Sequence, residues 1–190
     1  INKIRVETVG PPFKGNEVKI ADDGEILVRG ENVMLGYWNK KEDTEKVIKN
    51  GWLHTGDIGE IDSRDGYLKI TDRKKDIIVS AGGDNISPAK IENMITNEEE
   101  IDQCIVYGDK KNYLVALIVP STKESLINEE RINNLIENIN KKLTIVEKIK
   151  KIQLIDENFT IENGLLTPTM KVKRKKVIEK YKNNLENLYK

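Results

Sequence analysis

Asp72-Arg73-Lys74-Lys75-Asp76 is the stretch on which the fold of this chain turns. Five consecutive charged side chains bury nothing, and most such runs are solvated surface. This run also stands where the pattern of the chain changes. Before it, short strands alternate with Gly and Asp turns; after it, strands alternate with amphipathic helices. At a seam between two such regimes, a linker that must rotate would be hydrophilic and poor in anchoring side chains. The fold class expected is α+β, with a small mainly-β unit over 1–72 joined by a hinge to an α+β unit over 73–190.

Upstream of the seam, Glu17 to Ile20, the turn Asp22-Asp23-Gly24, and Glu25 to Arg29 read as a hairpin with an Asp-Gly turn. A second pairing joins Gly56 to Ile61 with Tyr67 to Ile70 through Ser63-Arg64-Asp65-Gly66. Between the two, Asp43 to Lys49 suits a short helix stopped by Asn50-Gly51.

Downstream, Ile77 to Val79 reads as a strand and Ala81-Gly82-Gly83 as a loop. Ser87 as N-cap and Pro88 at the first helical position predict a helix from Ala89 to Thr96, burying Ile91, Met94 and Ile95. Strands fit Gln103 to Tyr107, Tyr113 to Val119 and Lys151 to Ile155. A helix fits Asn128 to Leu143, with Ile132, Leu135, Ile136, Ile139 and Leu143 on one face, and the tail from Lys173 reads as a charged helix.

The charge balance is 32 Lys+Arg against 32 Asp+Glu over 190 residues, so no global field steers the chain to nucleic acid or an anionic membrane. The lone Cys104 forms no internal disulfide, and its apolar setting predicts a packed, inert thiol that suits a reducing compartment. No apolar run is long enough to span a membrane and no signal peptide is seen, so the location expected is cytoplasmic. The chain opens on Ile1 and runs straight into Val9-Gly10-Pro11-Pro12, which reads as an excerpt of a longer polypeptide.

Four short patterns carry chemistry-bearing residues. Gly51-Trp52-Leu53-His54-Thr55-Gly56-Asp57 puts a carboxylate beside a glycine at a strand entrance. An ionised Asp only accepts, and its two oxygens suit paired hydroxyls; by itself an Asp after Gly is more simply a turn residue, and His54 a structural one. Ala81-Gly82-Gly83-Asp84-Asn85 matches neither a phosphate loop nor a dinucleotide fingerprint. Lys171-Val172-Lys173-Arg174-Lys175-Lys176 invites a nucleic-acid reading, but no aromatic residue interleaves the cations. A lysine delivered on a Thr-Pro-Thr loop can instead meet a phosphate as a point charge. The charged seam is the fourth pattern. No set of residues with metal-ligand spacing stands out.

Taken in order, the pieces resemble the adenylate-forming superfamily of acyl-CoA synthetases, luciferases and nonribosomal adenylation domains. The resemblance rests on Thr8-Val9-Gly10-Pro11-Pro12, Gly24 to Gly30, Met34-Leu35-Gly36-Tyr37-Trp38, Gly51 to Asp57, Gly66 to Asp76, and Leu166-Thr167-Pro168-Thr169-Met170-Lys171. Six motifs in sequence span nearly the whole chain, and the Leu-Thr-Pro-Thr before Lys171 is similar to the long-chain fatty acid–CoA ligase branch.

That resemblance implies the C-terminal portion of an acid–thiol ligase. In it, 1–72 would close the large adenylation domain and 73–190 would be the mobile C-terminal domain. It implies that Asp57 holds the ribose hydroxyls of ATP, with Arg73 in support, and that Lys75, flanked by Asp72, is the hinge. Lys171 would reach the α-phosphate and the substrate carboxylate, and the Gly82-Gly83 loop would line the path of the CoA pantetheine. The reaction implied is acid plus ATP to acyl-AMP and pyrophosphate, then acyl-AMP plus CoA to acyl-CoA and AMP. The partners are then fatty acid, ATP, CoA and the upstream part of the polypeptide, with no nucleic acid; Mg2+ would be held by upstream residues, and peripheral membrane association is allowed. The phosphate loop, the adenine and magnesium motif and the acyl tunnel all lie upstream in this family, so the chain alone is expected to be inactive.

Two positions depart from the pattern. Met170 stands where many members have glycine, and Asp84 where long-chain relatives often carry lysine. The alternatives left open are a ligase for another carboxylic acid or for a carrier-protein acceptor, a non-catalytic binding module, and a basic-tailed nucleic-acid binder.

Overall fold

The computed structural model describes residues 4–121 and 129–190. The chain divides into two compact units, Ile1–Lys75 and Asp76–Lys190, and its content is α+β.

The first unit is a five-stranded antiparallel sheet. Its elements are β1 (Asn16–Ile20), β2 (Glu25–Gly30), α1 (Lys41–Val47), β3 (Ile48–Lys49), β4 (Trp52–Ile61) and β5 (Leu68–Arg73). The order is β1-β2-β4-β3, with β5 also pairing β4. The β1–β2 hairpin forms as the Asp-Gly signal predicts, because Gly24 takes φ +83° and its N–H closes on the Ala21 carbonyl at 2.9 Å. The second hairpin closes through Asp62, which accepts from Gly66 N at 2.8 Å and donates its own N–H to Tyr67 O at 2.9 Å. Among the described residues of this unit, Ile26, Leu27 and Tyr67 are the buried apolar side chains.

One turn serves a different purpose from the one expected. Asn50 and Gly51 both take positive φ, 52° and 78°. Two such residues in a row make the hairpin turn that matches strand twist. They fold Ile48–Lys49 back onto Trp52 and Leu53 as β3, so α1 stops at Val47 and not at Lys49. As a consequence β4 starts at Trp52. His54 and Asp57 therefore lie inside a strand, neither in an edge loop nor at a strand entrance.

The second unit contains β6 (Ile78–Val79), β7 (Asn85–Ile86), α2 (Pro88–Thr96), β8 (Ile101–Tyr107), β9 (Leu114–Pro120), α3 (Glu129–Asn140), β10 (Ile149–Leu154), α4 (Arg174–Lys180) and α5 (Lys182–Asn187). Its main sheet runs β10-β9-β8, with β8 antiparallel and β10 parallel to β9. The unbroken apolar run of β9 is explained by cover on both faces. Leu114, Ala116 and Ile118 pack with Ile91, Ile95, Ile132 and Ile136 of α2 and α3. Val115, Leu117 and Val119 pack with Phe159, Leu166, Val177 and Leu185 on the other side.

Ser87 caps α2, accepting from Lys90 N at 3.3 Å, with Pro88 in the first turn. Ile91 and Ile95 are buried there, and Met94 is partly so. Asn128, the expected start of α3, lies outside the described residues. The helix ends at Asn140, short of Leu143, because the Asn140 amide turns to bridge β10. It donates to Ile149 O at 2.8 Å and accepts from Ile149 N at 2.9 Å. The tail is two helices with a break at Tyr181, whose hydroxyl donates to Glu157 at 2.9 Å. Cys104 is buried, and burial pushes its thiol well up from the ordinary value, the mark of an inert thiol. Among the described residues no helix is long and apolar enough to cross a membrane.

Candidate active site

Asp57 sits on a double irregularity of the first sheet. Along β2, Glu25 pairs with Ile58 and Leu27 with His54, so two steps of β2 face four of β4, and Thr55, Gly56 and Asp57 bulge out. On the other side the register slips between Ile58 and Gly59, and Asp57 faces Arg73. The bulge is closed by side chains where ladder bonds are lost. Thr55 Oγ1 donates to Ile26 O at 2.8 Å and accepts from Asp57 N at 3.1 Å. Gly56, at φ +73°, donates its N–H to Glu25 Oε1 at 2.9 Å.

Arg73 Nε approaches Asp57 Oδ1 to 2.8 Å, but Oδ1 accepts no hydrogen bond among the described residues and is shut off from solvent. The pair attracts by charge without an N–H aimed at the oxygen, and Arg73 is 58% exposed, so the contact is weak. A shielded carboxylate oxygen lacking a donor is uncommon in a folded chain, and a binding role is one physical reason for it.

Sequence reading passes over the group that supports this bulge. Glu25 is 4% exposed. Its Oε2 receives His54 Nδ1 at 2.8 Å and Lys74 Nζ at 2.9 Å, and Lys74 also pairs with Asp23 at 2.6 Å. Burial pushes the Glu25 carboxyl up, and the bonds from His54, Lys74 and Gly56 outweigh it and hold it below the ordinary glutamate value.

The seam is thus better anchored than its charges suggest. Arg73 lies in β5, Asp72 Oδ1 accepts from Arg73 N at 2.7 Å, and Lys74 is held by two carboxylates. Lys75 follows in a 3₁₀ turn, Lys74–Asp76, exposed and with no side-chain hydrogen bond or ion pair among the described residues. The division between the units falls immediately after it.

In the second unit, Gly82 and Gly83 form the exposed tip of the β6–β7 hairpin. Gly83, at φ +88°, donates to Ser80 O at 3.0 Å, and Ser80 Oγ donates to Asp84 Oδ2 at 2.8 Å while accepting from Gly82 N and Asp84 N. Asp84 therefore serves its own turn. Beside the tip opens a cleft of about 180 Å³ whose walls include Ser80, Asp84, Ile86, Lys111 and Tyr113.

Lys171 is exposed at the end of a tight loop. The Leu166–Val172 bridge closes it, Thr167 N donates to Lys171 O at 2.8 Å, and Lys171 N donates to Thr167 Oγ1 at 3.0 Å. Met170 makes the turn at φ +61°. That left-handed conformation costs a residue with a Cβ about 1–2 kcal/mol. A glycine at this position would not bear that cost. Met170→Gly is expected to raise stability by about 1 kcal/mol after the entropy cost of glycine. Urea unfolding checks this; an unchanged or lower midpoint goes against it.

The base of the loop is held by a residue hidden in the basic run. Arg174 donates to Val106 O at 2.9 Å and pairs with Glu92, whose other oxygen accepts from Val106 N at 2.7 Å. Together they satisfy the free edge of β8 as a neighbouring strand would. Arg174 is the one arginine beside four lysines and one valine at 171–176, and forked recognition is the reason to choose it over lysine. Each partner keeps only 15% exposure. Arg174→Met should destabilise by about 3 kcal/mol, the low end for a broken buried pair. Lys175→Met should stay within about 0.5 kcal/mol. Equal unfolding midpoints for the two variants would contradict the role of the pair.

The signature of the AMP-binding enzyme C-terminal domain matches residues 75–190. The chain is 39% identical over 211 residues to the long-chain-fatty-acid–CoA ligase FadD15 of Mycobacterium tuberculosis, covering 99% of this chain and 35% of that protein. It thus spans about a third of the length of the curated relatives it matches. Among solved structures it resembles the adenylation domain of a carboxylate reductase from Mycobacterium chelonae, with TM-score 0.82 and 27% identity over 94% of this chain and 31% of that one. It also resembles the O-succinylbenzoate coenzyme A synthetase of Bacillus subtilis solved with AMP, with TM-score 0.72 and 27% identity over 91% and 35%. The fold, the motifs and these matches agree: the chain belongs to the AMP-binding enzyme C-terminal domain family.

Proposed function

We propose that this chain provides the ribose contact and the mobile lysine of an ATP-dependent long-chain fatty acid–CoA ligase, working with residues upstream of those present here. The observation that carries the reading is Asp57 Oδ1, shielded and without a hydrogen-bond donor, on a bulge beside Arg73. A ribose offers two adjacent hydroxyl donors, and the carboxylate would accept both once the exposed Arg73 side chain shifts off Oδ1. Arg73 would support the same sugar.

In the first half-reaction a carboxylate oxygen of the fatty acid attacks the α-phosphorus of ATP and pyrophosphate leaves. Lys171, an exposed ammonium on a stiff loop, stabilises the charge that develops there once water is excluded. In the second, the CoA thiol attacks the acyl carbon and AMP leaves. Lys171 would obstruct that step, so the 76–190 unit turns at Lys75 and brings the Gly82-Gly83 tip to the thiol path. Among the described residues no three His, Cys, Asp or Glu side chains gather, and the Mg2+ that accompanies the phosphates of ATP would be held by residues upstream.

Acid-dependent ATP–pyrophosphate exchange tests the reading. The full-length protein should exchange with a long-chain fatty acid, and this chain alone should show none above its Lys171→Ala variant. Exchange by the chain alone, or exchange indifferent to the acid, would refute it.

A further inference from the structure

We infer that Glu25 is a positioning residue: its buried carboxylate holds the bulge that presents Asp57 and, through Lys74, fastens the last residue before the pivot to the β unit. The inference rests on the ligase reading for its kinetic consequences and on geometry alone for the anchor itself.

Three donors from separate segments converge on this one carboxylate. Gly56 N–H comes from the bulge, His54 from the strand below it, and Lys74 from the segment leaving β5. A bulge loses ladder bonds, and a buried N–H without an acceptor is costly, so Glu25 Oε1 stands in for the carbonyl that β2 cannot offer. The residue is itself tied in place, since Glu25 N donates to Asp23 Oδ1 at 3.1 Å and Gly59 N donates to Gly24 O at 3.1 Å across the same strands. Asp57 follows Gly56 directly, so the direction of its carboxylate depends on where that peptide is held.

Lys74 carries the second function. Its ammonium bridges Asp23 and Glu25, two residues of the β1–β2 hairpin, and Lys75 next to it is untethered. The chain therefore passes from fixed to free within one residue. A rotation confined to Lys75 returns Lys171 to the same point each cycle; a pivot spread over 72–76 would not. The nucleotide contact and the pivot thus share one carboxylate.

The test uses the full-length protein with Glu25→Gln, Lys74→Met and Lys74→Arg. An amide has one acceptor oxygen for three donors and turns its own N–H groups toward the rest, so Glu25→Gln must release part of the network. Amide hydrogen exchange should rise at Gly56 and over 72–76 in Glu25→Gln, but over 72–76 only in Lys74→Met. In the half-reactions, Glu25→Gln should raise KM for ATP roughly tenfold. Lys74→Met should leave that KM within about twofold and lower kcat of both steps roughly tenfold, because alignment and not affinity is lost. Lys74→Arg, keeping a cation for both carboxylates, should recover most of kcat. A merely structural role would lower the unfolding temperature and the active fraction together without separating KM from kcat.

Exchange over 72–76 equal to wild type in both Glu25→Gln and Lys74→Met overturns the anchor, whatever the kinetics. A wild-type protein that forms no acyl-adenylate overturns the ligase reading, and the exchange data still decide the anchor. Where Glu25→Gln fails to fold, Lys74→Met decides: faster exchange confined to 72–76 upholds the inference and unchanged exchange overturns it.

Discussion

On the proposed reading, replacing Lys171 with alanine in the full-length protein is expected to slow acyl-adenylate formation roughly a hundred- to a thousandfold, while thioester formation from supplied acyl-adenylate stays near the wild-type rate. The magnitude is that of losing one well-placed donor to a developing charge, about 2.7–4 kcal/mol. The loop makes such placement credible. Two bonds between Thr167 and Lys171, the Leu166–Val172 bridge and the Arg174 anchor fix the backbone at its base, so only the four-carbon stem of Lys171 has to be ordered when the ammonium is needed. Lys175 and Lys176 project from the exposed face of α4, and Lys173 joins the loop base through its backbone, donating to Leu165 O at 2.8 Å. Alanine at any of these three should cost a few-fold at most. Measuring the two half-reactions separately decides the matter. Equal damage to both would make Lys171 a structural residue.

Lys75→Pro should separate the half-reactions in the other sense. Proline fixes φ near −65° and removes the N–H, a value within the range of the 3₁₀ turn that Lys75 occupies. If the backbone of Lys75 must change between the two steps, one arrangement is locked out. A state made about 3 kcal/mol less favourable is populated roughly a hundredfold less, and thioester formation should fall by that order. Adenylation should survive, the trapped state being the one that sets Lys171 at the phosphate. Lys75→Ala leaves the backbone mobile and removes a side chain that bonds to nothing among the described residues, so both steps should stay near wild type. Pro and Ala variants that behave alike would mean the side chain matters and the pivot lies elsewhere.

Local signals in this sequence are legible where a local cause decides. Asp22-Asp23-Gly24 makes its turn because Gly24 alone can take the required φ, and Ser87-Pro88 starts α2 because a hydroxyl and a fixed φ suffice. Asn50-Gly51 shows the limit: the same pair can stop a helix or close a hairpin, and the choice belongs to Trp52 and Leu53, which have β2 waiting as a partner. The bulge under Asp57 was illegible for a stronger reason. It is held by Glu25 and Ile26, about thirty residues away in sequence, through single hydrogen bonds that leave no periodic trace. Lys74 and Arg174 were hidden inside charge runs, where composition says surface and only geometry shows which cation is held. Motif resemblance proposes roles for Asp57, Arg73, Lys75, Gly82, Gly83 and Lys171 and says nothing of the contacts that orient them.

The central claim is that the acid is joined to AMP before it meets the thiol. Oxygen labelling measures that directly. With fatty acid carrying 18O in both carboxylate positions, ATP, CoA and the full-length protein, one carboxylate oxygen forms the bond to the α-phosphorus and stays there when the thiol displaces AMP. The expected result is one 18O in the phosphate of each AMP released and none in pyrophosphate. AMP free of label, or label appearing in inorganic phosphate beside ADP, would contradict it.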